Sequence, residues 1–203
     1  EMFGNALFGQ GNDGDWTQMD WNILFGVRLP RVLASVVVGS ALALSGSVYQ
    51  SIFKNPLVSP DLLGVSSGAC IGAAVAILLA LPSYGIQASA FIGGIIAVSL
   101  TVMIPRILKS TSNIMLVLAG IIVGGAMSSI LGFIKYVADP ETQLAAITYW
   151  QLESFAYVDI GLLLSILPLT ILAAALLLVM SFWIGVLSLG EKEAQTLGAN
   201  VKV

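Results

Sequence analysis

Five apolar runs, residues 32–53, 62–81, 86–105, 114–134 and 160–189, contain no Lys, Arg, Asp or Glu. A hydrocarbon core of about 30 Å takes roughly 20 residues of helix to cross, and each run reaches or approaches that length. A charge at the centre of such a helix costs about 2.5–3.5 kcal/mol, against a gain of about 0.3–0.6 for each Leu, Ile, Val or Phe. Isolated strands would leave backbone groups unpaired in lipid, so the runs are expected as helices. The expected fold class is all-α, a polytopic transmembrane bundle. Composition agrees: 58% of the 203 residues are hydrophobic and 9% charged, where a soluble chain carries about 25% charged residues.

The rest of the composition narrows the possible chemistry. A net charge of −3 with only eight scattered basic residues argues against nucleic acid as a partner. One cysteine, Cys70, and no histidine exclude an intrachain disulfide, a soft-metal site and a Ser-His-Asp triad. No G-x-x-x-x-G-K-[ST] loop occurs, so no nucleotide is expected on this chain itself. The expectation is no catalytic residue, no metal site and no directly bound cofactor. The spans also lack the acidic residue that proton- or sodium-coupled carriers use. If the chain moves a solute, its energy is expected from a partner. An ion-coupled secondary carrier and a non-transporting membrane scaffold stay open as alternatives.

Residues 1–27 read as an outer loop, 28–189 as five spans and 190–203 as the start of a cytoplasmic coupling segment. The chain opens on Glu1 with neither the basic nor the apolar region of a signal peptide, and reads as a fragment of a longer membrane protein. Pro30 is expected in the first turn of the first span, Pro82 and Pro105 at the ends of the second and third, and Pro168 at a kink. Lys54, Arg106, Lys109, Lys192 and Lys202 fall on one side and Arg28, Arg31 and Lys135 on the other. That bias favours an outside N-terminal loop and a cytoplasmic C-terminus, with Trp16, Trp21, Tyr149 and Trp150 as outer aromatic anchors. Small residues recur every four positions at Gly68, Gly72 and Ala76, at Ser89, Gly93, Ala97 and Thr101, and at Gly120, Gly124, Ser128 and Gly132. Such a stripe lets helix backbones approach closely. For the Gly120 to Gly132 face, the lining of a central translocation path is the alternative reading.

Several strings carry more specific information: Arg28-Leu29-Pro30-Arg31, the segment GSALALSGSVYQ at 39–50, and NPLVSPDLLGVSSGA at 55–69. Leu118-Ala119-Gly120, Leu189-Gly190-Glu191, Glu193-Ala194 and Leu197-Gly198 complete the pattern. Together they resemble the FecCD family of permeases, which serve importers of ferric siderophores, haem and cobalamin. The resemblance runs from about Arg28 to the last residue, and departs at Glu153, where the family more often has glycine. It implies a multi-pass protein of the bacterial cytoplasmic membrane with about ten spans, of which this chain holds the second to the sixth. It also implies a second permease copy or homologue, two cytoplasmic ATPase subunits that bind ATP and Mg, and an extracytoplasmic substrate-binding protein.

Site expectations combine the residues with that resemblance. Arg28 and Arg31 read as snorkelling anchors on general grounds; the resemblance implies docking to carboxylates on the binding protein. The Pro56 and Pro60 turn is rigid, so Asn55 and Leu57, with Ser110, Thr111 and Ser112, are expected at a cytoplasmic gate, the alternative being a solvated turn. Ser188 and Glu191 fit a capping box, opening a short helix with Gly190, Glu193, Ala194 and Leu197 that ends at Gly198. That helix is expected to press on the ATPase subunit.

Overall fold

The computed structural model describes residues 18–56, 58–109 and 112–189, and every regular element in them is helical. In chain order these are α1 (Gln18–Ile23), a π-helical turn (Leu24–Arg28), α2 (Leu29–Phe53), a 3-10 turn (Pro60–Leu63), α3 (Val65–Leu78) and α4 (Ser83–Ile107). There follow α5 (Asn113–Val137), α6 (Gln143–Gln151), a second 3-10 turn (Phe155–Tyr157) and α7 (Ile160–Leu189). Among the described residues four helical stretches are long and apolar enough to cross a membrane: Gln18–Phe53, Ser83–Ile107, Ile114–Val137 and Ile160–Val186. The chain divides into two compact units, Glu1–Ser40 with Phe155–Ala173, and Ala41–Ser154 with Ala174–Val203.

In the larger unit α3 packs against α4, α5 and α6. Two of the small-residue stripes make the first of these contacts. A Cβ on Gly72 would lie 2.0 Å from the Ser89 carbonyl oxygen, and one on Gly68 2.5 Å from that of Gly93. Thr101, fully buried, donates its hydroxyl to the Leu63 carbonyl at 3.0 Å. The partners advance along α4 as they recede along α3, so the two helices are antiparallel with backbones nearly touching. Ala76 and Ala97 are fully buried on the same faces. No larger side chain fits between helices this close, which is why the stripes are built from Gly and Ala.

The expectation of five long spans is corrected here. The second, placed at 62–81, is a 14-residue helix, Val65–Leu78, whose length of about 21 Å falls short of the hydrocarbon core. Its ends are cut by backbone the sequence pattern does not advertise. Pro60 opens a 3-10 turn, Gly64 takes φ 74°, and Ala80 takes φ 52° behind the helix. Around Ala80 the amides of Ala80 and Leu81 return to the carbonyls of Ile77 and Ala76, the paired closure of a Schellman motif. Lys54 closes α2 in the same way, with Lys54 and Asn55 donating to Ser51 and Gln50.

Proline placement differs from expectation twice. The third span does not stop at Pro105; the proline is buried in the last turn of α4, which runs on to Ile107 before Lys109 turns left-handed at φ 50°. In the smaller unit the segment expected as loop to residue 27 is helical from Gln18, and Pro30 lies well inside the helical stretch. A proline there removes one amide and crowds the preceding turn. The π-helical turn ahead of it takes up the mismatch, with the Leu29 amide reaching back five residues to the Leu24 carbonyl. Pro30 is fully buried, as are Leu24 and Ala34 nearly so. Pro168 sits within α7, which continues through it.

Candidate functional site

Arg28 ends the π-helical turn and Arg31 stands three residues on, so both project from neighbouring positions of one helical stretch. Both are exposed. The Arg31 guanidinium donates through Nη2 to the Ala156 carbonyl at 2.7 Å, joining the start of α2 to the Phe155–Tyr157 turn across 125 residues of sequence. Just beyond that turn Asp159 Oδ1 accepts the Leu162 amide at 2.7 Å and so caps α7, satisfying one of the amides a helix start leaves open. The cap was missed in the sequence, although an Asp immediately ahead of an apolar run, as at Asp159–Ile160, is its usual signal.

At one end of the larger unit's helices, Phe53, Val58 and Leu63 form a buried cluster against which Tyr49, Leu116 and Val117 pack. This seats the Asn55–Pro60 connection against the first turns of α5, and brings Asn55 and Ser112 to the same end of the unit. Asn55 is exposed; its amide donates to the Gln50 carbonyl and its own carbonyl accepts from Val58. Ser112 precedes α5 in extended backbone, its carbonyl accepting from Met115. Leu57, Ser110 and Thr111, also expected at the gate, lie outside the described residues. So do Gly190, Glu191, Glu193, Ala194, Leu197 and Gly198 of the expected coupling segment.

The Gly120 to Gly132 stripe divides along its length. A Cβ on Gly120 would lie 1.9 Å from the Leu62 carbonyl oxygen, and one on Gly64 would lie 3.2 Å from the Gly124 amide nitrogen. Gly120 and Gly124 are thus taken up by packing against the turn that leads into α3. Further along, Ser128 faces Ser67 with hydroxyl oxygens 3.5 Å apart, and a Cβ on Gly132 would meet nothing within 4 Å. Only this second half of the stripe has open space beside it.

The connection after α5 holds polar contacts that sequence reasoning passed over. Asp139 Oδ2 accepts the Thr142 amide at 3.0 Å, and Gln143 Oε1 accepts the Asp139 amide at 3.1 Å. Gln143 Nε2 donates to the Leu78 carbonyl at 3.3 Å, and Lys135 donates to Gln151 Oε1. With Ile147 buried against Cys70, Ala74, Leu131 and Ala138, the Gln143–Leu78 bond seats α6 on the end of α3, while Lys135–Gln151 ties it to α5. Trp150, expected as an interfacial anchor, packs against that same cluster. Among the described residues no three His, Cys, Asp or Glu side chains gather in a way that would hold a metal ion.

The chain's residues 2–203 match the family model described as the FecCD transport family. It is 35% identical over 200 residues to the molybdate import system permease protein MolB of Haemophilus influenzae, covering 98% of this chain and 59% of that protein. It is 36% identical over 188 residues to the hemin transport system permease protein HmuU of Yersinia pestis, covering 90% of this chain and 56% of the relative. Against the vitamin B12 import system permease protein BtuC of Yersinia enterocolitica the identity is 35% over 181 residues, 86% of this chain and 52% of that one. A solved structure described as an inward-facing metal-chelate type ABC transporter superposes with a TM-score of 0.82 at 34% identity, over 98% of this chain and 65% of its own. The chain therefore spans somewhat over half the length of the relatives it matches.

Proposed function

Because this chain belongs to the FecCD transport family, we propose that it is the larger part of a permease subunit of an ATP-binding-cassette importer, one that moves ferric siderophore, haem or cobalamin-type chelates inward. The observation that carries this reading is the family match along nearly the whole chain, joined to four apolar stretches of spanning length. The chain is a membrane protein, and the proposed location is the bacterial cytoplasmic membrane. Two partner subunits bind ATP with Mg and hydrolyse the ATP, a second permease completes the path, and an extracytoplasmic binding protein delivers the cargo.

Within that reading Arg28 and Arg31 form the docking surface, and Asn55, Leu57, Ser110, Thr111 and Ser112 the cytoplasmic gate. The Gly120 to Gly132 face borders the path at its Ser128–Gly132 end. The segment from Gly190 to Gly198 couples to the ATPase. Support for the gate comes from the shared position of Asn55 and Ser112 at one end of the helices. Uptake by the full-length assembly tests the function. Inhibition by vanadate, with uptake persisting when ion gradients are collapsed, is the expected result; the reverse pattern assigns an ion-coupled carrier, and no uptake at all a scaffold.

A second reading of the cargo has its own support, since MolB is named for molybdate. An oxyanion substrate would leave the importer mechanism intact while changing what the path must accommodate. Competition of labelled uptake by molybdate, haemin and cobalamin in parallel separates the two.

A further inference from the structure

A helical threonine commonly spends its hydroxyl on a carbonyl three or four residues back in its own helix. Thr148 and Thr170 do so, donating to the Leu144 and Ile166 carbonyls at 2.7 and 3.1 Å. Thr101 does not. Its hydroxyl leaves α4 and donates to the Leu63 carbonyl at 3.0 Å, across 38 residues of sequence, and among the described residues it is the only buried polar side chain. Leu63 ends the Pro60–Leu63 turn, and Gly64 behind it takes φ 74°. The ladder of α3 starts one residue later, where the Gly68 amide donates to Gly64, so Thr101 supplies a donor to a carbonyl that stands just outside the helix. On its other side the turn meets α5, where a Cβ on Gly120 would lie 1.9 Å from the Leu62 carbonyl oxygen. The Leu63 side chain is buried with Phe53 and Val58, the residues that bracket Asn55, and Val98 of α4 packs against the same cluster.

We propose that Thr101 is a positioning residue for the cytoplasmic gate: its hydroxyl fixes the Leu63 carbonyl, and Leu63, packed on Phe53 and Val58, fixes where the Asn55 turn sits. This rests on the gate assigned to Asn55 above. Apolar packing around Leu63 is non-directional and holds the residue out of water without setting its register. The hydrogen bond is directional and ties the turn to one point on α4. Thr101→Val removes the donor while keeping the branched shape, and leaves a carbonyl in the interior without its partner. Thr101→Ser keeps the donor and gives up only a methyl.

The test uses the full-length permease with its ATPase subunits in lipid nanodiscs, first with its native Asn55 and then with Asn55→Cys as the crosslinking reporter in an otherwise cysteine-free dimer. Hydrogen exchange of the Gly64 amide, which donates to Asp61 at 2.9 Å, is expected to quicken about tenfold in Thr101→Val and to stay near the wild-type rate in Thr101→Ser. Crosslinking at position 55 is expected to lose its dependence on nucleotide in Thr101→Val and to keep it in Thr101→Ser. If Thr101→Val does not assemble, Thr101→Ala, which lacks the donor and crowds nothing, is read by the same two measurements. Unchanged Gly64 exchange in the variant without the hydroxyl overturns the bond as what holds the turn. Faster exchange with crosslinking that still follows nucleotide makes Thr101 a packing residue only and overturns its link to the gate. Thr101→Ser behaving like Thr101→Val assigns the effect to the methyl and overturns the proposal as well. Crosslinking that ignores nucleotide while Thr101 is intact is the failure of the gate reading itself; it overturns the positioning role with it, and is told apart from the other outcomes because in those the parent protein responds to nucleotide.

Discussion

At Glu153 the backbone holds φ 52° after the last turn of α6, with the amide donating to the Trp150 carbonyl. A residue with a Cβ loses about 1–2 kcal/mol in this region, and glycine there would return part of that by widening the unfolded ensemble, about 0.4–1 kcal/mol. Glu153→Gly is therefore expected to stabilise the protein by roughly 0.5–1 kcal/mol, read as a higher thermal-unfolding midpoint; a lower midpoint would show that the Glu153 side chain holds the turn. The sequence reading marked this position as a departure from the resemblance, which favours glycine there, and a left-handed backbone is where glycine costs least. The glycines allow a sharper contrast. Gly72→Ala and Gly120→Ala drive a methyl into the carbonyls of Ser89 and Leu62 and should each cost about 3 kcal/mol through overpacking. Gly132→Ala meets open space inside a helix and should raise the unfolding midpoint slightly, a gain of about 0.4–1 kcal/mol. Equal behaviour of all three would mean the helices are not packed as described.

Among the elements, α3 departs most from a membrane span and contributes most to packing. It is flanked by Gly64 and Ala80, both in left-handed backbone, and its Ala73, Ala74 and Ala76 are almost wholly buried. An apolar run of twenty residues looks the same in sequence whether it meets lipid or other helices, so its hydropathy could not reveal how short the helix is. By contrast α7 shows lipid-type character along its length, with Leu164, Leu172, Leu178, Val179 and Phe182 exposed. Its start depends on Asp159. Removing the carboxylate in Asp159→Ala leaves the Leu162 amide without its acceptor and is expected to cost about 1 kcal/mol, seen as faster hydrogen exchange at Leu162, with Asp159→Asn retaining most of the protection. Exchange at Leu162 that ignores both changes would remove the cap from the account of this helix.

For the whole molecule, the proposed importer makes two demands on residues at its cytoplasmic side. Asn55→Cys in an otherwise cysteine-free full-length dimer is expected to crosslink across the two copies in one nucleotide state and not the other. Crosslinking indifferent to nucleotide would place the Asn55 turn away from a gate. Leu197→Asp is expected to uncouple ATP hydrolysis from uptake or to release the ATPase subunit while docking of the binding protein persists; coupled uptake at the wild-type rate would end the coupling assignment for that segment. Much of this protein follows from the sequence alone. Charge-free apolar runs require helices in a bilayer because unpaired backbone and buried charge are both costly there, and the strings around Arg28, Asn55 and Gly120 carry the family. Tertiary structure decided the rest. Which stripes are interfaces, at Gly68–Gly93 and Gly72–Ser89, and which part of the Gly120 stripe stays open depend on the neighbour each face meets. The bond from Arg31 to Ala156 likewise joins residues distant in sequence, while the length of α3 and the π-helical turn ahead of Pro30 are set by local backbone geometry that hydropathy does not report. Hydropathy reports only the preference of each side chain for leaving water, and in a membrane protein lipid and a neighbouring helix satisfy that preference alike.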